Sequence, residues 1–560
     1  MRRASFFGLA LLALPVWVLF TSCSPKDEQA LPTLDAAADG ADAATDTAIS
    51  FDVPEDATPI DTGPPPIADP KTCEEAALSH SYVGCEFWPT VTANIVWETF
   101  DFTAVVANAG DEDARITVTG PGGFSKEMIV GAGRLVKVFL PWVKELKGPE
   151  GDACGSATSL DATVRVDKGA YHLVATKPVT VYQFSALEYE GKGGPPGKSW
   201  AGCKGNTPCD TGDGFPSPIG CYSFTNDASL LLPTTAMTGN YRLAGVKGIT
   251  GSGGYAAITG TKDGTDVTVT LGVKNRIFAG GGIPFVGANG TVTFKLNAGD
   301  VMQLLGGGND LAGALVKANK PVQVVMGVPC ITSPIGTPAC DHVEESVFPA
   351  ETLGKKYVVT GPTGPDGGRP GHQVRLVGNV DGTKLTYDPA PPTAKAPTTL
   401  DAGQVVDLGV VSDDFVVTGD HEFVVVSVQL GGELADPSAF EGAQKGDPSA
   451  SLFPSVEQFR KKYVFLAPDD YLVAYVDVVG PEGVKILLDG KDAGSFPASV
   501  GSSGYEVHRI KLDKGPFDVG AHTLTADKPV GIQVLGYGLY TSFQYPGGLN
   551  LLSIASVPAK

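Results

Sequence analysis

Apolar residues are spread along this chain in three distinct ways, and each predicts a different kind of element. From Ala4 to Leu19 nearly every residue is apolar and none is charged. That run is about long enough to cross a bilayer. From Ser24 to Thr72 apolar periodicity vanishes, and Asp, Ala, Thr and Pro dominate. From Cys85 onward, short β-branched runs are separated by Gly, Asp, Asn and Pro, which predicts many short strands. Asp266 to Leu271 alternates with period two and places Val267, Val269 and Leu271 on one face. Pro321 to Val328 and Glu422 to Leu430 are more continuously apolar, as in strands buried on both faces. The 72 glycines and 43 prolines fit a turn-rich all-β body.

The order of these segments suggests export. Arg2 and Arg3 precede the first apolar run, and Phe20-Thr21-Ser22-Cys23 follows it. Positive, then apolar, then small residues read as a secretory signal over residues 1–22. The ending resembles the lipobox of bacterial lipoprotein signal peptides, which implies a lipid on Cys23. The departure is Phe20, where that family prefers Leu. An uncleaved membrane anchor is the alternative. Ser24 after the cysteine resembles lipoproteins sorted to an outer membrane, so the expected location is the outer membrane or cell surface.

Residues 23–72 then read as the lipidation site and a disordered linker. Ser24 to Thr72 holds eleven acidic residues against two lysines, −9 of the chain's −21, and one aromatic, Phe51. Such a segment cannot bury enough surface to offset its ordering entropy. A flexible coil of its 49 residues spans about 35–42 Å on average. The expected role is a spacer between the membrane and the body. The acidic balance, with no block of Lys or Arg, argues against a nucleic-acid partner.

Eight cysteines follow Cys23: Cys73, Cys85, Cys154, Cys203, Cys209, Cys221, Cys330 and Cys340. The even number and an oxidising destination favour disulfides over a metal site. Cys73–Cys85 and Cys330–Cys340 are the local pairs. Cys154, Cys203, Cys209 and Cys221 pair among themselves in one of three ways. Oxidation would also leave no nucleophile in Cys340-Asp341-His342.

The body, 73–560, repeats itself. Openings recur at Phe87-Trp-Pro89, Leu232-Pro233, Phe348-Pro349 and Phe453-Pro454. A tyrosine follows the last three at Tyr241, Tyr357 and Tyr463. Next comes a turn and strand at Asp113, Asp263, Asp381 or Glu482, then Ala-Gly or Lys-Gly at 132, 298, 402 and 514. Last comes Lys-Pro-Val at 177, 320 and 528, with His421-Glu-Phe423 in the third copy. This predicts four diverged sandwich-like β repeats, approximately 86–228, 229–344, 345–450 and 451–560. The first is lengthened by an insertion holding Cys154 and by an irregular loop from Glu190 to Gly220. Long irregular loops often carry binding.

This grammar resembles the IgGFc-binding protein N-terminal domain family. The residues that carry the resemblance are Ser81-Tyr-Val-Gly-Cys85 leading into Trp88-Pro89, Asn319-Lys-Pro-Val322 with Gly327, and Phe453-Pro454 with Lys461-Lys-Tyr463 and Pro529-Val530. It implies an extracellular binding or adhesion role, without implying antibody binding here. The tandem cysteine-rich domains that accompany the module in mucus proteins are absent.

No G-x-S-x-G, GxxxxGK[ST] or HExxH motif is present, and no cofactor is expected. Calcium is the one ion the turn carboxylates of Asp263, Asp266, Asp381, Asp489 and Asp492 would suit, although turn stabilisation accounts for them more simply. His508 alternates within Tyr505 to Ile510 and is expected at the surface. The expected function is a lipid-anchored surface module binding a protein or glycan. A structural envelope component is the second reading, and a polysaccharide-acting enzyme the third.

Overall fold

The computed structural model describes residues 70–150, 158–201, 203, 209–210, 216–217, 221–249, 252–306, 310–440, 443–512 and 520–555. The signal segment, Cys23, Cys154 and the linker up to residue 69 lie outside them. Residues 66–560 form one compact unit.

The two apolar patterns become two kinds of sheet. In the second repeat, Thr265–Thr270 buries Val267 and Val269 and exposes Asp266 and Thr270. It lies in a peripheral sheet ordered Asn240–Arg242, Leu315–Ala318, Thr265–Thr270, Thr291–Leu296. Val322–Ile331 is buried at all ten positions. It belongs to an axial sheet with Asp341–Ser346, Tyr255–Gly260 and Val301–Leu305. The third repeat has the same two sheets. Its peripheral one is Lys356–Val359, Phe415–Gly419, Thr383–Asp388, Thr399–Leu400, and its axial one Ala450–Leu452, Phe423–Gln429, His372–Gly378, Val405–Val411. Each pair of sheets encloses its own apolar core.

In the first and fourth repeats one long strand serves both sheets, His172–Phe184 and Gly520–Gly538 respectively. Pro178 and Pro529 therefore sit inside a strand. Both mark the corner where the pairing register shifts, a place that tolerates a missing ladder donor.

The repeat motifs are joined by hydrogen bonds. Tyr241 Oη donates to Val322 O (2.6 Å) and accepts from Thr238 N–H (3.2 Å). Tyr357 does the same with Phe423 O and Gly354 N–H, and Tyr463 with Val530 O and Arg460 N–H. The tyrosine after each of these three openings thus fastens the residue that closes Lys-Pro-Val, and His421-Glu-Phe423 is that motif's counterpart in the third copy. Tyr357→Phe removes both bonds at once. The expected loss is about 1–2 kcal/mol, read as a lower urea midpoint at unchanged slope. An unchanged midpoint would show that the tyrosine contributes packing alone. A second fastening links the turns, where Asp113, Asp263 and Asp381 accept the N–H of Ala132, Ala298 and Ala402 at 3.0–3.1 Å.

Four strands meet at the centre: Ala228–Leu231, Asp341–Ser346, Ala450–Leu452 and Thr541–Pro546. Each touches the next in a closed ring, so the sandwiches stand around one axis in a propeller-like arrangement. Leu232-Pro233, Phe348-Pro349 and Phe453-Pro454 terminate three of these strands, and single 3-10 turns follow. The fourth ends at Tyr545-Pro546. Phe87-Trp-Pro89 is a different device, since it follows the peripheral strand Gly84–Phe87.

At the axis lies the Asp227 carboxylate. It accepts N–H donors from all four axial segments: Ala228 (2.9 Å), Glu344 (3.0 Å), Ala450 (3.1 Å) and Gln544 (3.3 Å). Burial pushes this carboxyl well above its ordinary range, outweighing the N–H donors that pull it down. Each oxygen nevertheless already accepts two N–H bonds, so a carboxyl proton would have to face one of those donors, and on that geometry we assign the anion against the push of burial.

Candidate ligand-binding cleft

Four sandwiches around an axis create four seams, and they are filled differently. Between the fourth and first repeats, the Tyr182 ring packs tilted against Tyr545 (4.7 Å between ring centroids), and its hydroxyl donates to Val464 O (2.8 Å). Between the third and fourth, Arg509 grips both oxygens of Asp414 (3.0 and 3.1 Å), and Thr363 donates twice to buried Asp477. Val358, Val416, Phe459, Val479 and Val507 pack over that junction. Between the first and second, the first repeat's insertion supplies a strand, Val164–Val166. It pairs antiparallel with Val301–Gln303 and covers the edge of the second repeat's axial sheet. Gln303 completes this seam by accepting Ala93 N–H (2.9 Å) and donating to Leu146 O (2.9 Å).

The seam between the second and third repeats is bridged at its floor and by Ser333, which donates to Gln373 (2.8 Å) and accepts Gly431 N–H (2.7 Å), but it is not filled. Arg375 donates to Asp310 (2.6 Å). Gly313 and Gly403 abut there with φ of +85° and +74°, and a Cβ on Gly313 would fall 2.2 Å from Gly403 O. The close approach therefore needs glycine on backbone and steric grounds together. Above this floor a cleft of about 950 Å³ opens, at the upper end of the range of about 300–1,000 Å³ usual for ligand sites.

The cleft is basic on an acidic protein. Arg242, Lys247, Lys274, Lys317 and Arg375 line it, against Asp310 and Asp407. Arg375 is taken up by Asp310. Burial lowers the Arg242 guanidinium to about 10, the mark of a cation held away from water. Lys247, Lys274 and Lys317 are exposed and make no ion pair among the described residues. Amides (Asn275, Gln373, Gln404) and aliphatic side chains (Val246, Ile331, Ile335, Val405) complete the lining, with no aromatic ring.

The residues singled out in the sequence fall elsewhere. Cys73–Cys85, Cys203–Cys221 and Cys330–Cys340 are disulfides, and the side chain of Cys209 is outside the described residues. Cys340 therefore offers no thiol beside His342. The described part of the loop that starts at Glu190 packs against the body, with Trp200 on Phe100 (5.3 Å) and Lys198 over Trp200 (4.0 Å). Its remainder is outside the described residues. His508 is not at the surface: it is buried between Ser495 Oγ (2.7 Å) and Glu506 (3.0 Å). In the strand Tyr505–Leu512 it shares a face with Glu506, Ile510 and Leu512, all of them buried, so the expected surface position is corrected. No group of three His, Cys, Asp or Glu among the described residues is placed to hold a metal ion. Among them, no helix is long and apolar enough to cross a membrane.

The fold is a disulfide-bonded, all-β ring of sandwiches with a recessed, ligand-sized cleft. Residues 227–536 match the family described as IgGFc binding protein, and the chain belongs to that family. The match opens at Asp227, the residue on the axis. It is a family of binding domains, typically extracellular, rather than of enzymes. No curated protein matches the chain. Among solved structures, an anti-sigma factor domain-containing protein from Clostridium clariflavum aligns at 11% identity with a TM-score of 0.10, over 54% of this chain and 82% of that one. That score carries no argument about fold or function.

Proposed function

We propose that the chain is a lipid-anchored, surface-displayed binding module whose body engages an extracellular ligand, with protein favoured over glycan. The observation that carries this is the open seam. The junction between the second and third repeats keeps a cleft of about 950 Å³, against about 340 Å³ between the first and fourth, and Lys247, Lys274 and Lys317, which make no ion pair among the described residues, line it in a family of binding proteins. The absence of aromatic rings in its lining weighs against a sugar stacking there. The signal segment, Cys23 and the acidic linker support display away from a membrane.

Two measurements test the reading. Protein and glycan arrays probed with residues 66–560, which form one compact unit, should return a protein ligand. An array with no ligand would favour a structural envelope role, and turnover of a polysaccharide would overturn both. Cys23→Ser should release the protein from the membrane fraction or leave it unprocessed; unchanged mass and fractionation would remove the lipid anchor.

A further inference from the structure

The four repeats share one topology, so the same edge can be compared in each. In the second repeat the outer edge of the axial sheet, Val301–Leu305, is covered by Val164–Val166. In the fourth, Tyr505–Leu512 is covered by Ala498–Ser499. Two of these edges stay uncovered: in the first repeat Leu135–Leu140 pairs only with Phe102–Ala107, and in the third Val405–Val411 pairs only with His372–Gly378, so that each ends its sheet. No described strand lies on the other side of either, and of the two only the third repeat's edge borders the cleft. Val405 and Asp407 on that edge line the cleft. An unpaired sheet edge is a ready template for another strand, and natural chains usually cover or blunt it.

The cleft adds chemistry to this geometry. Lys247, Lys274 and Lys317 come from the second repeat, and aliphatic Val246 and Ile335 line the same cleft. An extended strand shows alternate side chains to opposite sides. A segment alternating acidic and aliphatic residues would give its carboxylates to the lysines and its apolar side chains to the valine and isoleucine. The chain's overall charge of −21 does not forbid this, because charges beyond about 8 Å are largely screened at physiological salt.

We propose that an extended, acidic peptide segment of a partner protein adds as a strand to the Val405–Asp407 edge and lays its carboxylates against Lys247, Lys274 and Lys317. This rests on the binding-module reading and names its ligand. The mode is β-strand addition, in which main-chain bonds supply affinity and side-chain contacts supply choice. The protein already uses the same arrangement on itself at the neighbouring seam, where Val164–Val166 is the added strand.

The test uses the full chain and three fluorescent twelve-residue peptides, alternating Val with Glu, Gln or Lys. The Val–Glu peptide should bind at least tenfold more tightly than the other two. Lys274→Glu combined with Lys317→Glu should weaken it at least tenfold, with an unchanged melting temperature because both side chains are exposed. N-methylation of alternate amides, which keeps the charge and removes main-chain donors, should also weaken it at least tenfold. Equal binding of all three peptides, or binding indifferent to the lysine variants, overturns the charge assignment. Binding indifferent to N-methylation overturns strand addition. A sulfated glycan that binds in a lysine-dependent way while no peptide does would replace the peptide by a polyanion. An array partner unaffected by the lysine variants would sink the cleft proposal and leave the binding-module reading standing; no partner and no peptide binding would end both.

Discussion

Asp227→Asn should abolish the cooperative fold of the body. Oδ1 accepts Ala228 and Gln544 N–H, while Oδ2 accepts Glu344 and Ala450 N–H. An amide can keep only one of those oxygens. Whichever way it turns, its NH₂ faces two backbone donors that belong to two different repeats. Hydrogen bonds to a charged group contribute about 1.5–3 kcal/mol each, so losing two removes about 3–6 kcal/mol. That is comparable to the whole net stability of many folded proteins, about 5–15 kcal/mol. The measurement is chemical denaturation followed by tryptophan fluorescence, or the yield of soluble protein if the variant does not fold. Asp266→Asn is the control: its exposed pair with Lys295 contributes no more than about 1 kcal/mol. An Asp227→Asn protein as stable as that control would remove the axis from the account.

Stability should also fall as pH rises, because other axial acids are buried with too few donors. Burial pushes Asp447 up to about 8. Burial, and then the neighbouring Asp447 charge, pushes Asp341 well up as well. Asp341 accepts from Thr541 Oγ1 (2.9 Å) and His342 N–H, and Asp447 from Gly432 N–H (3.3 Å). Thr541, Tyr471 and Asp227 are the other polar groups that face this pair. Both carboxyls keep their protons in the folded chain and lose them in the unfolded chain above about pH 4. Their contribution is complete below about pH 4 and is lost as pH climbs toward 8. The denaturation midpoint should therefore decline between pH 5 and 8. Asp447→Asn, which holds a neutral group of the same shape, should flatten that decline and gain stability relative to the parent at pH 8. Parallel profiles for the two proteins would show that Asp447 is ionised in the fold.

Much of this was legible in the chain because it is local. The alternation at Val267 and Val269 is a property of neighbouring residues, and so are the apolar runs at 321–328 and 422–430, which fall on the buried strands Val322–Ile331 and Phe423–Gln429. The tyrosine and Lys-Pro-Val motifs were visible as repeats, although the hydrogen bond that joins them could not be. The cleft was illegible because its cations come from positions 242, 247, 274, 317 and 375, which no window along the sequence gathers. One hint was present: the first repeat carries an insertion that the others lack, and that insertion is what fills its seam. The first opening, Phe87-Trp-Pro89, was grouped with the others on composition, and topology separates it. His508 was misplaced because alternation reveals that a strand has two faces and does not reveal what lies over each.

The donors at Asp227 also set an order in time. Three of them come from residues 344, 450 and 544, the last separated from Asp227 by 317 positions. However well the second and third sandwiches form their own cores, the carboxylate stays short of partners until nearly the whole polypeptide has been made. During that interval it must remain hydrated, so the centre of the ring cannot dry before its last strand arrives. Closure of the axis is then a late, long-range event, of the kind that folds slowly and leaves strand edges open to wrong partners. A chain built this way has a single moment of completion, and a truncation anywhere before Gln544 forfeits it.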